Sequence, residues 1–277
     1  MKYTILFIIL LFPGLALAKP TIVSSVTPIA SLVAILTRDS ATVTALDVAG
    51  GCPHHHHAKP SDKSTIENAQ MVIYIDDDFD GLVVSLLADY KGQKVKISDF
   101  TSLDFHGKDG KINWHFWLDL NNVRVLQDEL ARVLIATFPE MKNVVEKNLS
   151  DSIVKINELA KIKQSLKLGS TALLSDSLEH FFKSIENDQF RVFQVANTSL
   201  KNMQKLDELL GSNLVKCIVL AGDQNASSYS KYNKIIVQLD SENWVVPENA
   251  NNVADLFINE YSKMIEQAKK CTVSSPF

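Results

Sequence analysis

The chain has 277 residues, with 28 Lys and Arg against 32 Asp and Glu, a formal net charge of −4 and 46% hydrophobic residues. This mixed, mildly acidic composition has no basic stripe and argues against nucleic acid as a partner. The length is sufficient to bury a full core and to form two domains.

The chain begins with the features of a cleavable secretory signal at residues 1–18. A basic residue near the start precedes an apolar run that begins at Ile5 and ends in the small-residue cleavage site Ala16-Leu17-Ala18. The alternative, an N-terminal anchor helix, is disfavoured because the run is shorter than the ~20 residues that span a bilayer. No Cys follows directly to carry a lipid anchor, and no later segment is apolar enough to cross a membrane. We therefore expect a periplasmic protein that is not membrane-embedded.

Short apolar strands alternate with amphipathic helices in both halves of the remaining chain, which predicts α/β lobes with parallel sheets. The predicted strands of the first half are Thr21–Ser25, Thr42–Leu46, Met71–Ile75 and Lys94–Ile97, and its helices are Pro28–Thr37, Ser61–Ala69 and part of Gly81–Tyr90. The predicted strands of the second half are Thr171–Leu174, Arg191–Val195, Cys217–Ala221 and Lys234–Leu239, and its last helix is Val253 to about Lys269. We expect Ser61 to cap the helix that it begins.

A long helical segment without strand signals separates the two halves. Its apolar residues recur at spacings of mostly three and four and so share one face: Val145, Leu149, Ile153, Ile156, Leu159 and Leu166. One helix from Met141 to Leu168 would measure about 40 Å and act as a rigid strut; the alternative is a hairpin broken near Ser150-Asp151-Ser152. The predicted organisation is a signal peptide at 1–18, an N-terminal α/β lobe at 19–138, a linking helix at 139–168 and a C-terminal α/β lobe at 169–277.

The three cysteines are Cys52, Cys217 and Cys271. An oxidising compartment favours one disulfide and one remaining thiol. Cys217 and Cys271 both lie late in the chain, which makes them the natural pair. Cys52 lies in a Gly-Gly-Cys-Pro segment and is interpreted as a small residue of a tight turn, with a role as metal ligand as the alternative.

Four of the seven histidines are consecutive, from His54 to His57, directly after the second predicted strand. Open α/β sheets place ligand sites at the carboxyl ends of strands, and imidazole suits zinc, copper and nickel. The run therefore predicts a metal site, with a loosely binding surface loop as the alternative. His115 is a second candidate ligand within the aromatic segment 113–119, where the alternative is a hydrogen-bonded core histidine. His180 lies on an apparent helix face and is predicted to be a core residue.

Both clusters resemble motifs of the zinc- and manganese-binding solute receptors of ABC importers. The first family motif is Pro-His-Asp-Tyr, followed after a short gap by Pro-Ser-Asp, and the segment that matches it is Pro53-His54-His55-His56-His57-Ala58-Lys59-Pro60-Ser61-Asp62. The second motif is His-x-Trp-Leu-Asp, and it is matched by His115, Trp117, Leu118 and Asp119. Both motifs occur in the family's order, and the resemblance covers nearly the whole mature chain.

The resemblance implies His54 and His115 as metal ligands from the first lobe and Asp240, after the last predicted strand, as a ligand from the second. The family's second-lobe histidine is replaced by Ser175, and His180 takes the place of a tyrosine. A serine hydroxyl is a poor zinc ligand, so the fourth position stays open. The candidates are one of His55, His56 and His57, a water molecule, or His180 after a helix shift, and we favour the first two.

The function implied by the resemblance is that of a receptor rather than an enzyme. A monomer would capture a metal ion, Zn²⁺ or alternatively Mn²⁺, and present it to the membrane permease of an ABC importer. The alternatives are an exported zinc metallohydrolase and a metal-buffering or adhesive protein. A hydrolase needs an open metal position beside a general base, but neither His-Glu-x-x-His nor Gly-x-Ser-x-Gly occurs in the chain.

Overall fold

The computed structural model describes residues 18–46, 59–185, 192–194, 200–246 and 253–272. Within these ranges the strands form two four-stranded sheets, one in each lobe. The strands of the first sheet are β1 (Thr21–Ser24), β2 (Thr42–Ala45), β3 (Met71–Tyr74) and β4 (Gln93–Lys96), and those of the second are β5 (Thr171–Leu173), β6 (Val192–Gln194), β7 (Cys217–Ala221) and β8 (Ile235–Leu239). The described strand pairings are parallel, and the two sheets share one topology, β2-β1-β3-β4 and β6-β5-β7-β8.

Helices connect and flank the strands of both sheets. They are α1 (Thr27–Thr37), α2 (Pro60–Glu67), α3 (Gly81–Leu86), α4 (Leu120–Thr137), α5 (Lys142–Gln164), α6 (Glu179–Phe182), α7 (Leu200–Gly211) and α8 (Leu256–Ala268). Parallel strands need crossover connections, and helices supply them here. The predicted fold class, two parallel α/β lobes joined by one long helix, is confirmed.

The linking helix α5 is continuous over 23 residues, which corresponds to about 35 Å. The alternative of a break near Ser150 is wrong, because the helix runs through that region without interruption. Its buried residues recur at helical spacing and face the protein: Val145, Ser152, Ile156, Leu159 and Lys163. The helix ends four residues before the predicted Leu168, which instead forms a β-bridge with Thr272. The lobe boundaries at residues 138 and 169 stay a prediction.

The start of α2 differs from the prediction in its capping residue. The helix begins at Pro60, so Lys59 holds the N-cap position. The carboxylate of Asp62 accepts the Lys59 backbone N–H at 2.8 Å. The expected cap at Ser61 is therefore wrong: proline starts the helix one residue earlier, and the acid in the first turn reaches back to the cap, as in a capping box.

A disulfide ties the end of the chain to the second sheet. Cys217, the first residue of β7, is bonded to Cys271, which follows α8, and their Cα atoms are 5.5 Å apart. Both cysteines are buried. The carbonyl of Cys271 also accepts the backbone N–H of Gly169 at 3.0 Å, so covalent and hydrogen bonds hold this end of the chain beside the start of the second lobe.

The last helix contacts the first lobe although it follows the second lobe in sequence. Ser31 Oγ in α1 donates to the carbonyl of Val253 at 2.6 Å and accepts the backbone N–H of Phe257 at 2.8 Å. Farther along α8, the hydroxyl of Tyr261 donates to the carbonyl of Leu118 at 2.6 Å. One hydrophobic cluster contains buried residues of both lobes, so the lobes pack on each other through a shared core.

Candidate metal site between the lobes

The carboxyl end of the second sheet carries Asp240, which directly follows β8. Its Oδ1 accepts the backbone N–H groups of Glu242 at 3.1 Å and Asn243 at 2.8 Å, which fixes the carboxylate in a tight turn. Gly222, after β7, lies against this side chain, since a Cβ there would come within 3.3 Å of Asp240 Cγ. Burial raises the pKa of Asp240, because removal from water disfavours the ionised form. A cation beside it would have the opposite effect.

His115 of the first lobe lies on an anchored segment. The next three residues, 116–118, form a short helical turn and are fully buried. Asp119 then caps α4 by accepting the backbone N–H of Asn121 at 2.9 Å. The imidazole packs near the rings of Trp117 and Phe79, with centroids 5.3 and 6.1 Å away. Cap and core together fix the backbone from which His115 projects.

The amide of Asn113 orients the His115 ring. His115 Nδ1 lies 3.1 Å from Asn113 Oδ1, and the Asn113 amide nitrogen donates to the carbonyl of Asp176 at 2.8 Å. A carbonyl only accepts, so this bond fixes which end of the amide is the oxygen. His115 Nδ1 therefore donates to Asn113 and leaves Nε2 to coordinate, which is the usual arrangement of a metal-binding histidine.

The His115 segment contacts the Asp240 turn directly. His115 Nε2 lies 3.2 Å from Oε2 of Glu242, and the two side chains are only 13% and 9% exposed. The indole N–H of Trp117 donates to the carbonyl of Ser241 at 2.8 Å. Sequence reasoning missed Glu242; the available signal was an acid two residues beyond Asp240, within the same strand-end turn.

The remaining second-lobe candidates, Ser175 and His180, have hydrogen-bond partners within the protein. Ser175 follows β5 at the same end of the sheet as Asp240; its Oγ lies 2.8 Å from Ser177 Oγ and accepts the Ser177 N–H at 3.3 Å. His180 is buried, as predicted for a core residue, and its Nε2 lies 3.2 Å from the carbonyl of Asn113. Burial lowers the pKa of His180. The hydrogen bond that the structure describes for this ring therefore goes to the backbone of the first lobe. His180 could bind a metal ion only after a shift of its helix, and the structure does not show one.

The histidine run, His54 to His57, and Cys52 lie outside the described residues. In the part of the chain that the structure does describe, no group of three or more His, Cys, Asp and Glu side chains is arranged to hold a metal ion. The described part brings His115 to Glu242 and holds Asp240 in the adjoining turn. The ligand roles of His54, His115 and Asp240 stay predictions.

Comparisons with known proteins agree with this picture. The model of the family "Zinc-uptake complex component A periplasmic" (ZnuA) matches residues 22–270. The Rickettsia prowazekii protein RP014, itself uncharacterized, is 39% identical over 287 aligned residues, which is 98% of this chain and 93% of that protein. Zn(II)-bound AdcA from Streptococcus pneumoniae has a similar fold, with a TM-score of 0.73, 19% identity and 92% of this chain covered, although the match spans 58% of AdcA. A manganese-bound mutant of the periplasmic metal binding protein from Candidatus Liberibacter asiaticus has a TM-score of 0.72 and 18% identity, with 90% of this chain and all of that chain covered.

The structural likenesses concern the fold, whereas the sequence matches establish the family. Among the described residues, no helix is both long and apolar enough to cross a membrane.

The family comprises solute-binding proteins of ABC metal importers and not enzymes, which removes the support for a metallohydrolase. Since the family model covers most of the chain and the Rickettsia relative covers nearly all of it, the chain belongs to the ZnuA family of periplasmic metal-binding receptors of ABC importers.

Proposed function

We propose that this protein captures Zn²⁺ in the periplasm and delivers it to the membrane permease of an ABC importer. The observation that supports this proposal is the meeting of His115 from the first lobe with the Asp240 turn of the second. Imidazole and carboxylate are both zinc ligands. An ion held by donors from both lobes stabilises one arrangement of the lobes, and a permease can distinguish that arrangement from the empty protein.

Zinc is favoured over manganese on chemical grounds. Sites built from nitrogen and oxygen donors bind Zn²⁺ more tightly than Mn²⁺. Manganese is the second candidate, because carboxylates suit Mn²⁺ and a protein of similar fold is manganese-bound. In this proposal residues 1–18 direct export, and His54 is a ligand from the first lobe beside His115.

The test is metal analysis of the mature protein, purified from the periplasm without an affinity tag and dialysed against a chelator. Competitive titration with Zn²⁺ and Mn²⁺ should give one tightly bound ion per chain, with Zn²⁺ displacing Mn²⁺. His115→Ala should weaken binding, whereas His106→Ala is a matched control because that side chain is 61% exposed. Cells that lack the protein should lose high-affinity zinc uptake. Absence of stoichiometric binding of either metal would overturn the proposal, and several weakly bound ions would favour a buffering protein.

A further inference from the structure

We infer that Glu242 is a ligand of the captured ion. It supplies from the second lobe the donor that is lost where Ser175 replaces a histidine. The inference rests on the proposed function, since it assigns a ligand to the same site, and it leaves the roles of His115 and Asp240 unchanged.

The separation of the two side chains matches that of two ligands of one metal ion. Zinc bonds to histidine nitrogen and carboxylate oxygen measure about 2.0–2.1 Å, so neighbouring ligand atoms of a tetrahedral site lie about 3.3 Å apart. His115 Nε2 and Glu242 Oε2 are 3.2 Å apart. A charge-assisted hydrogen bond between imidazolium and carboxylate is shorter, about 2.7–2.9 Å. The observed distance therefore allows one ion to bind both side chains without a large movement, although it also fits a hydrogen bond.

The backbone around Glu242 fixes its carboxylate at this place. The Glu242 N–H donates to Asp240 Oδ1, so both acids belong to one hydrogen-bonded turn. Ser241, between them, accepts the indole N–H of Trp117 from the first lobe. Trp117 is therefore a positioning residue, since it holds the turn against the segment that carries His115.

Charge favours the same assignment. The Glu242 side chain is only 9% exposed, and a buried carboxylate is costly unless a charge or metal compensates it. With Glu242 added to Asp240, two carboxylates would balance a divalent ion, whereas Asp240 alone would leave a charge of +1. Imidazole and carboxylate ligands suit divalent ions such as Zn²⁺ better than soft monovalent copper, which prefers sulfur.

The competing interpretation is that Glu242 pairs with His115 only in the metal-free protein and leaves when the ion arrives. The two interpretations predict opposite effects for Glu242→Gln, a substitution of nearly equal size. If Glu242 is a ligand, the amide binds the ion more weakly and affinity falls. If Glu242 competes with the ion for His115, removal of the carboxylate tightens binding.

The experiment is competitive titration of the mature protein with Zn²⁺ and with Co²⁺, whose absorption spectrum reports the ligand set. Loss of a residue that only orients a ligand already lowers metal affinity by up to about 100-fold. Glu242→Gln, which would remove a ligand itself, should therefore weaken Zn²⁺ binding by at least about 100-fold. The Co²⁺ spectrum should change as well. Glu208→Gln removes the same charge from an exposed position of α7 and is the matched control; it should leave both readouts unchanged.

The outcomes separate the inference from the proposed function. If the wild-type protein binds no ion, the proposed function fails. If the wild type binds one ion and Glu242→Gln binds it equally or more tightly, only the ligand assignment fails. Should the variant not fold, a crystal structure of the zinc-loaded wild type decides: a Glu242 oxygen should lie about 2.0–2.2 Å from the metal. A metal shell without Glu242 would overturn the inference.

Discussion

Lys163 of the linking helix donates a hydrogen bond from Nζ to the hydroxyl of Tyr261 at 3.0 Å, and both side chains are fully buried. The same ammonium donates to the carbonyl of Phe181 at 2.9 Å and lies 5.1 Å from that residue's ring centroid. Tyr261 in turn donates to the carbonyl of Leu118, three residues after His115. These bonds join α5, the second lobe and the His115 segment into one buried network.

The first prediction concerns the pH dependence of stability. Burial lowers the pKa of Lys163 from 10.5 to about 8. Between these values the unfolded chain binds the proton that the folded protein has lost, so the free energy of unfolding rises with pH. The gain from pH 8 to 9.5 is up to about 2 kcal/mol. Urea denaturation of the wild type and of Lys163→Met, compared across this window, measures it; only the wild type should show the rise.

Lys161→Met is the control for this prediction, because Lys161 lies on the same helix but is exposed. Its pH dependence should match that of the wild type. The window ends below pH 10. Above it, tyrosines of the unfolded chain begin to ionise, which lowers the free energy of unfolding as the pH rises. Equal slopes in the wild type and Lys163→Met would contradict a buried, titrating ammonium.

The second prediction is that metal binding depends more on His54, His115 and Asp240 than on any single residue from His55 to His57. His115 is held by its fixed segment and Asp240 by its turn, so no neighbour replaces either. Adjacent histidines of the run offer interchangeable imidazoles, and one can cover the loss of another. Alanine substitutions at all six positions, compared by competitive titration, measure the difference; equal losses at every position would refute the prediction.

The third prediction concerns Ser175, which lies at the strand end where the resemblance to the family leads us to expect a histidine. Ser175→His should tighten zinc binding slightly in the wild type and strongly in Glu242→Gln, because the new imidazole replaces the missing donor. The difference between the two gains measures coupling between positions 175 and 242. Ser150→His, at an exposed position of α5, is the control. Weaker binding after Ser175→His in both backgrounds would mean that position 175 does not face the metal.

The fourth prediction concerns the disulfide. Replacing both Cys217 and Cys271 with serine should lower the free energy of unfolding by about 4 kcal/mol, since the bond closes a 54-residue loop. Urea denaturation in the absence of reductant measures the loss. Added reductant should destabilise the wild type but not the double variant. Mass mapping that finds both thiols free in periplasm-purified protein would contradict the pairing.

Local sequence patterns were sufficient to predict both sheets and the linking helix. Alternating strands and helices indicated parallel sheets, and the apolar spacing around Ile156 indicated one long helix. The contact of His115 with Glu242 could not be predicted this way, because it joins residues 127 positions apart and depends on how the lobes pack. The core position of His180 was predictable from its apolar helix face, but its bond to Asn113 in the other lobe was not.

The return of α8 to the first lobe has a consequence for how the chain folds. Ser31 is hydrogen-bonded to Val253 and Phe257, partners that lie 222 and 226 residues farther along. Contacts of such long sequence separation slow folding, because the intervening chain must be ordered before they form. The first lobe therefore cannot complete its packing until the last helix has been synthesised. We expect folding to finish after synthesis rather than during it, so the chain stays short of its final packing during the interval that translocation requires.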